Sequence, residues 1–134
     1  MKPDARIIMS LLVLAMLAVA CTPGEQPGRI ELDEIEFDFG AIPNTTPVSQ
    51  AFQVRNTGEG ALEITGVSTS CGCTTARVDR TRLEPGEVTT LTVTYDPQAH
   101  GGETGRFTRV VYVRSDDPRT PEASLTVRVT VIDP

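Results

Sequence analysis

The feature that most constrains this chain is its punctuation. From Gly28 to Ile132, short runs of alternating apolar and polar residues are broken by Gly, Pro, Asn and Asp. No window places apolar residues at the i, i+3, i+4, i+7 spacing of an amphipathic helix, whereas period-two alternation is the signature of half-buried strands. Leu91, Val93 and Tyr95 share one face of residues 88–95 and Thr90, Thr92 and Thr94 the other; Leu125, Val127, Val129 and Val131 do the same in residues 122–132. The chain is therefore expected to be all-β. With no Trp, two Tyr and four Phe, its interior must be filled mainly by Val, Leu and Ile, which suit strands.

Seven strands are predicted, over residues 29–40, 48–55, 61–69, 74–78, 88–95, 107–114 and 122–132. In the first, Ile35, Phe37 and Phe39 are expected inward, with Glu34, Glu36 and Asp38 outward on a solvated face. Asn56-Thr57-Gly58 reads as the turn of a hairpin joining the second and third strands. Gly66 breaks the parity of the third strand, as a bulge does, so that Val67 points the same way as Leu62 and Ile64. Glu84-Pro85-Gly86-Glu87 has the Pro and Gly positions of a type II turn. Residues 96–105 read as a loop. Apolar residues on both faces of 107–114, including Val110 and Tyr112, predict a strand covered on both sides. Asp116-Asp117 before Pro118 reads as turn chemistry. Seven strands in a chain of this length predict an antiparallel immunoglobulin-like β-sandwich, with a small barrel as the alternative; no Cys…Trp…Cys spacing marks an antibody-type domain.

The start of the chain carries an address. Lys2 and Arg6 precede an apolar core of 14 residues, 7–20, which ends in Ala18-Val19-Ala20-Cys21. As a helix it would reach about 21 Å at ~1.5 Å per residue, short of the ~30 Å of a hydrocarbon core, so cleavage is expected rather than a permanent span. Residues 1–20 read as a bacterial lipoprotein signal and Cys21 as its lipidated residue, two or more acyl chains being enough for stable anchoring. An ordinary export signal is the alternative. The Pro- and Gly-containing stretch to residue 29 reads as a tether, leaving residues 30–134 as one domain. Localisation is thus expected to be extracytoplasmic, lipid-anchored in a bacterial envelope.

Loss of the signal turns 12 bases and 18 acids into 10 and 17, a formal charge of −7. A nucleic-acid partner is excluded, since a polyanion needs clustered positive charge. A single His, no G-x-S-x-G, no phosphate-cradling glycine loop and no helix for H-E-x-x-H set aside the common enzyme classes. No cofactor and no small-molecule substrate are implied.

The one cluster of reactive side chains is Cys71-Gly72-Cys73. On extended backbone both sulfurs face one space, and outside the cytosol thiols are oxidised or metal-bound. Three chemistries are open: a local disulfide, a thiol-exchange pair, and soft-metal binding to Cu or Zn. A reactive thiolate needs a basic neighbour. Arg77, Arg80 and Arg82 are the nearest in sequence. A zinc site would need His100 and carboxylates to complete it. His100 reads as a solvated loop residue, so no metal is assigned to Cys71, Cys73 and His100.

The motifs FDFGAI at 37–42, FQVRNTGEGALEITGV at 52–67, SCGCTT at 70–75, LEPGE at 83–87, VTYDP at 93–97 and GRFTRVVYVRSDDP at 105–118 resemble the bacterial domain-of-unknown-function family 1573 over nearly all of residues 30–132. The chain is also similar to the wider group of immunoglobulin-like domains related to abnormal-spindle, hydin and major sperm proteins. The resemblance implies a seven-stranded sandwich that holds partners, and no reaction. The expected function is accordingly a non-enzymatic, membrane-anchored module that binds another envelope protein or assists assembly. Thiol-redox or soft-metal handling at Cys71 and Cys73 is the alternative.

Overall fold

The computed structural model describes residues 24–134; the expected export signal, residues 1–20, and Cys21 lie outside the described residues. The described residues form nine strands, β1 (Ile30–Leu32), β2 (Glu36–Pro43), β3 (Val48–Asn56), β4 (Leu62–Thr69), β5 (Thr74–Val78), β6 (Arg82–Leu83), β7 (Val88–Tyr95), β8 (Gly105–Ser115) and β9 (Glu122–Ile132). They build a four-stranded sheet in the order β1-β3-β7-β5 and a five-stranded sheet in the order β2-β9-β8-β4-β6. Phe52, Val54, Leu91 and Val93 from the first meet Leu62, Ile64, Val111, Val113, Leu125 and Val127 from the second in one apolar cluster. Among the described residues no helix is long and apolar enough to cross a membrane.

The prediction of seven strands is corrected to nine, because one predicted strand divides and a short one is added. Residues 29–40 split between the sheets. Asp33 ends β1 by standing in for the next ladder residue: its N–H donates to Gln53 O at 3.0 Å, and its Oδ1 accepts from Gln53 N at 2.9 Å. The chain then crosses to the other layer. Ile35, expected inward, is 68% exposed, because its carbonyl accepts from Thr126 N at 2.8 Å to begin the next pairing while its side chain is left outside. β2 runs parallel to β9, so the sandwich is not wholly antiparallel. A parallel pair needs a long crossover, and here nearly the whole domain supplies it. The added strand, β6, pairs with the start of β4.

β3 and β4 are not a hairpin, since they lie in different sheets. Asn56 makes the crossover. Wholly buried, its Oδ1 accepts from Arg29 N at 3.0 Å and Gly58 N at 2.9 Å, and its Nδ2 donates to Gly60 O at 2.8 Å and Leu83 O at 2.9 Å. The bulge at Gly66 is present as a register shift between Ile64 and Gly66, with Val67 packed against the core. Val110 and Tyr112 are half-buried, so the outer face of β8 is not covered as predicted.

In the 84–87 turn, Glu87 N donates to Glu84 O at 3.0 Å and Gly86 has φ +81°. An L-residue there meets the left-handed penalty, so Gly86→Ala is expected to cost about 1–2 kcal/mol, read from the urea midpoint.

Candidate functional site

The Cys71-Gly72-Cys73 turn joins β4 to β5 at one end of the sandwich. Thr74 N donates to Cys71 O at 3.2 Å, and Thr69 Oγ1 bridges Cys71 O at 2.9 Å and Thr74 O at 2.8 Å. Ser70 fixes the turn to β8 by exchanging bonds with Val110: Ser70 N donates to Val110 O, and Val110 N to Ser70 Oγ, both at 2.9 Å. So held, the two sulfurs stand at bonding distance as a disulfide, with Cα atoms 5.3 Å apart. Gly72 has neither positive φ nor any atom within 4 Å of where a Cβ would lie. Gly72→Ala is therefore expected to leave the urea midpoint unchanged, in contrast to Gly86→Ala.

The sulfurs differ in surroundings. Cys71 is half-buried, while Cys73 is 1% exposed over a small apolar cluster with Ile42, Tyr95, Val129 and Val131. Burial, opposed by the charge of Arg109 and reinforced by Glu103 and Asp96, raises the Tyr95 hydroxyl above its ordinary range, so this floor stays neutral at physiological pH.

The basic neighbours come from elsewhere than the sequence suggested. Arg77, Arg80 and Arg82 are exposed and ion-paired with Asp79, Glu87 and Glu84 respectively, at 3.2, 2.6 and 3.1 Å. Arg109, on β8, donates from Nε to Cys73 Sγ at 3.1 Å, and its guanidinium lies 5.2 Å over the Phe107 ring. No carboxylate of the described residues pairs with it within 4 Å.

His100, expected to be a solvated loop residue, is brought to the pair: although exposed, its Nε2 lies 3.0 Å from Cys71 Sγ. A single 3-10 turn, Pro97–His100, places it. Asp96 Oδ1 accepts from Gln98 N at 2.9 Å at the start of that turn, and Asp96 N donates to Cys73 O at 2.8 Å. Gly101 and Gly102, at φ +72° and +74°, close its end. Cys71 Sγ, Cys73 Sγ and His100 Nε2 all lie within 4.8 Å of one another, and among the described residues no carboxylate joins them. Sequence reasoning missed Arg109, 36 residues from Cys73; only a pairing of β4 with β8 would have found it.

The described residues form an all-β, double-sheet domain whose fold is similar to immunoglobulin-like and PapD-like domains, with a cysteine pair at one end. The chain overlays the ASH/PapD-like domain of human CEP192 with a TM-score of 0.60 at 11% identity, over 78% of this chain and 86% of that one. It overlays the YadV chaperone with a TM-score of 0.58 at 12% identity, over 76% and 51%.

Residues 30–131 match the family described as protein of unknown function (DUF1573), and the chain belongs to that family. A crystal structure of a protein of unknown function from Porphyromonas gingivalis W83 is similar at 28% identity, with a TM-score of 0.70 over 77% of this chain. The match spans 46% of that protein's length. No curated protein matches the sequence.

Proposed function

We propose that this protein is a lipid-anchored, non-enzymatic module of the bacterial cell envelope that binds another envelope protein by lending it a strand edge. The leader ending at Cys21 supports the address, and the likeness to PapD-like domains supports a role in holding partners.

The observation that carries the reading is an edge of β3 that no strand among the described residues covers, its Ala51 O accepting only from the Gln50 side chain at 3.4 Å. β1 pairs only with residues 54–56 of β3, while β7 pairs along the whole of its other side. Antiparallel ladders alternate residues bonded across a pair with residues facing away. Asn56 N donates to Glu87 O at 3.0 Å, so the even-numbered residues of β3 face β7 and the odd-numbered ones face outward. Asp33 occupies the outward groups of Gln53. Those of Ser49 and Ala51 continue the row with no strand of the described residues against them. Residues 48–52, VSQAF, hold no charge to repel an incoming strand, whereas edge strand β2 carries Glu36, Asp38 and a register shift. An extended segment of a partner would add there, antiparallel to β3 and in line with β1.

Ala51→Pro tests this. Proline removes an outward N–H that the fold does not use and is tolerated at such edge positions. With a photoreactive side chain at Ser49 of the full chain, cross-linked in the native envelope, a discrete adduct is expected that Ala51→Pro abolishes with little change in Tm. An undiminished adduct, or none in the parent, would overturn the reading.

A second reading, thiol–disulfide exchange at Cys71–Cys73, is favoured by one observation. A half-buried sulfur beside His100 and a buried sulfur beside Arg109 form the kind of polarised pair in which a departing thiolate is stabilised.

A further inference from the structure

We propose that, once its bridge is reduced, Cys71, Cys73 and His100 form a three-coordinate site for Cu(I), with Arg109 as the counter-charge. The inference rests on the second reading only in requiring that the bridge be reducible. Two sulfurs and an imidazole nitrogen already converge within 4.8 Å from two separate loops, each fixed by its own hydrogen bonds. Thiolate sulfur selects soft ions, leaving Cu(I) and Zn(II) as the metals to weigh.

Coordination number and charge decide between them. A structural zinc site takes four ligands, and no carboxylate of the described residues joins these three. Cu(I) with two thiolates carries a net charge of about −1 by the charges of its ligands. The guanidinium of Arg109, 3.1 Å from Cys73 Sγ and without an acidic partner within 4 Å among the described residues, balances it. Zn(II) with the same two thiolates is neutral and gives the Arg109 charge nothing to balance, just as the neutral disulfide does, so the arginine favours the anionic Cu(I) set. The Cys73 N–H, 3.2 Å from Cys71 Sγ, supplies a donor to the other thiolate.

The chemistry balances in two steps. An external dithiol passes two electrons and two protons to the Cys71–Cys73 bond, leaving two thiols here and a disulfide on the donor. Cu(I) then replaces both thiol protons, which go to solvent, and His100 completes the set through Nε2. Oxidation of the pair removes both thiolates, so copper retention follows redox state.

The full chain would be reduced with a phosphine, freed of reductant without oxygen, checked by thiol titration, and mixed with the Cu(I)–bicinchoninate complex. The expected result is transfer of one Cu(I) per chain to the protein bearing two free thiols and none to the oxidised protein. His100→Ala, a change on an exposed loop, should weaken Cu(I) binding at least tenfold with thiol titre and circular dichroism unchanged. Two free thiols with no copper uptake would overturn the site while leaving thiol exchange standing. Equal affinity in His100→Ala would remove His100 from it and overturn the three-coordinate assignment. Thiols that no reductant exposes in the folded protein would overturn both readings.

Discussion

Replacing Asp117 with Ala is expected to lower folding stability by about 3 kcal/mol, the lower end of the range for breaking a buried ion pair. The lower end applies because Arg29, its partner at 2.8 Å, is 27% exposed and can return to water, while the carboxylate is 1% exposed. Asp117 also accepts from Ile30 N at 2.9 Å, Arg119 N at 2.8 Å and Thr120 N at 3.3 Å. One carboxylate thus ties the entry of β1 to the turn between β8 and β9, and so one sheet to the other. Burial alone would raise its pKa, but the bonds from Ile30, Arg119, Arg29 and Thr120 outweigh it and hold the group below its ordinary value of 3.8. A carboxylate with a lowered folded pKa contributes stability that is complete above the unfolded value and is lost as pH falls through the folded one. Urea unfolding at neutral pH and in the acid range below 3.8 should therefore show the parent weakening in acid, and the variant changing less. A variant within 1 kcal/mol of the parent at neutral pH would refute the role assigned to Asp117.

Asn56→Ala is expected to cost about 3 kcal/mol, set by the ~1–3 kcal/mol for each buried polar group left without a partner. The side chain makes four bonds with no exposure, and two of its partners, Gly60 O and Leu83 O, are carbonyls that only a donor can satisfy. This separates hydrogen bonding from packing. Asn56→Leu, which keeps the branched shape and fills the space without polar atoms, should be about as damaging as Ala; recovery with Leu would show that filling the space is what matters. Asn56→Asp turns an acceptor toward both carbonyls and should also fail to rescue. Denaturant midpoints of the three variants decide it.

Much of this architecture is legible in the residues. Alternation in 88–95 and 122–132 identifies the strands and their inward faces, because a pleated strand has a period of two whatever it pairs with. Gly66 reads correctly as a bulge for the same reason. Alternation carries no information about which sheet a strand joins. Residues 29–40 keep their period while Asp33 diverts the chain between layers, and Asn56-Thr57-Gly58 looks like any hairpin turn until its side chain is seen bonded to Leu83 O. Asp117 reads as turn punctuation beside Asp116, although one is a buried hub and the other exposed.

The sequence by itself determines an all-β chain and the family, and offers an expected export address and the two cysteines as a candidate site. These follow from local period, composition and motif, which need no knowledge of long-range contacts. Tertiary structure decided that Arg109 and His100, rather than Arg77, Arg80 or Arg82, face the sulfurs, and that one stretch of β3 has no neighbouring strand among the described residues. Charge neutralisation explains the first: each nearby arginine has an acid beside it, while Arg109 reaches Cys73 across the pairing of β8 with β4. The second follows from strand length, since β1 stops where Asp33 turns the chain away.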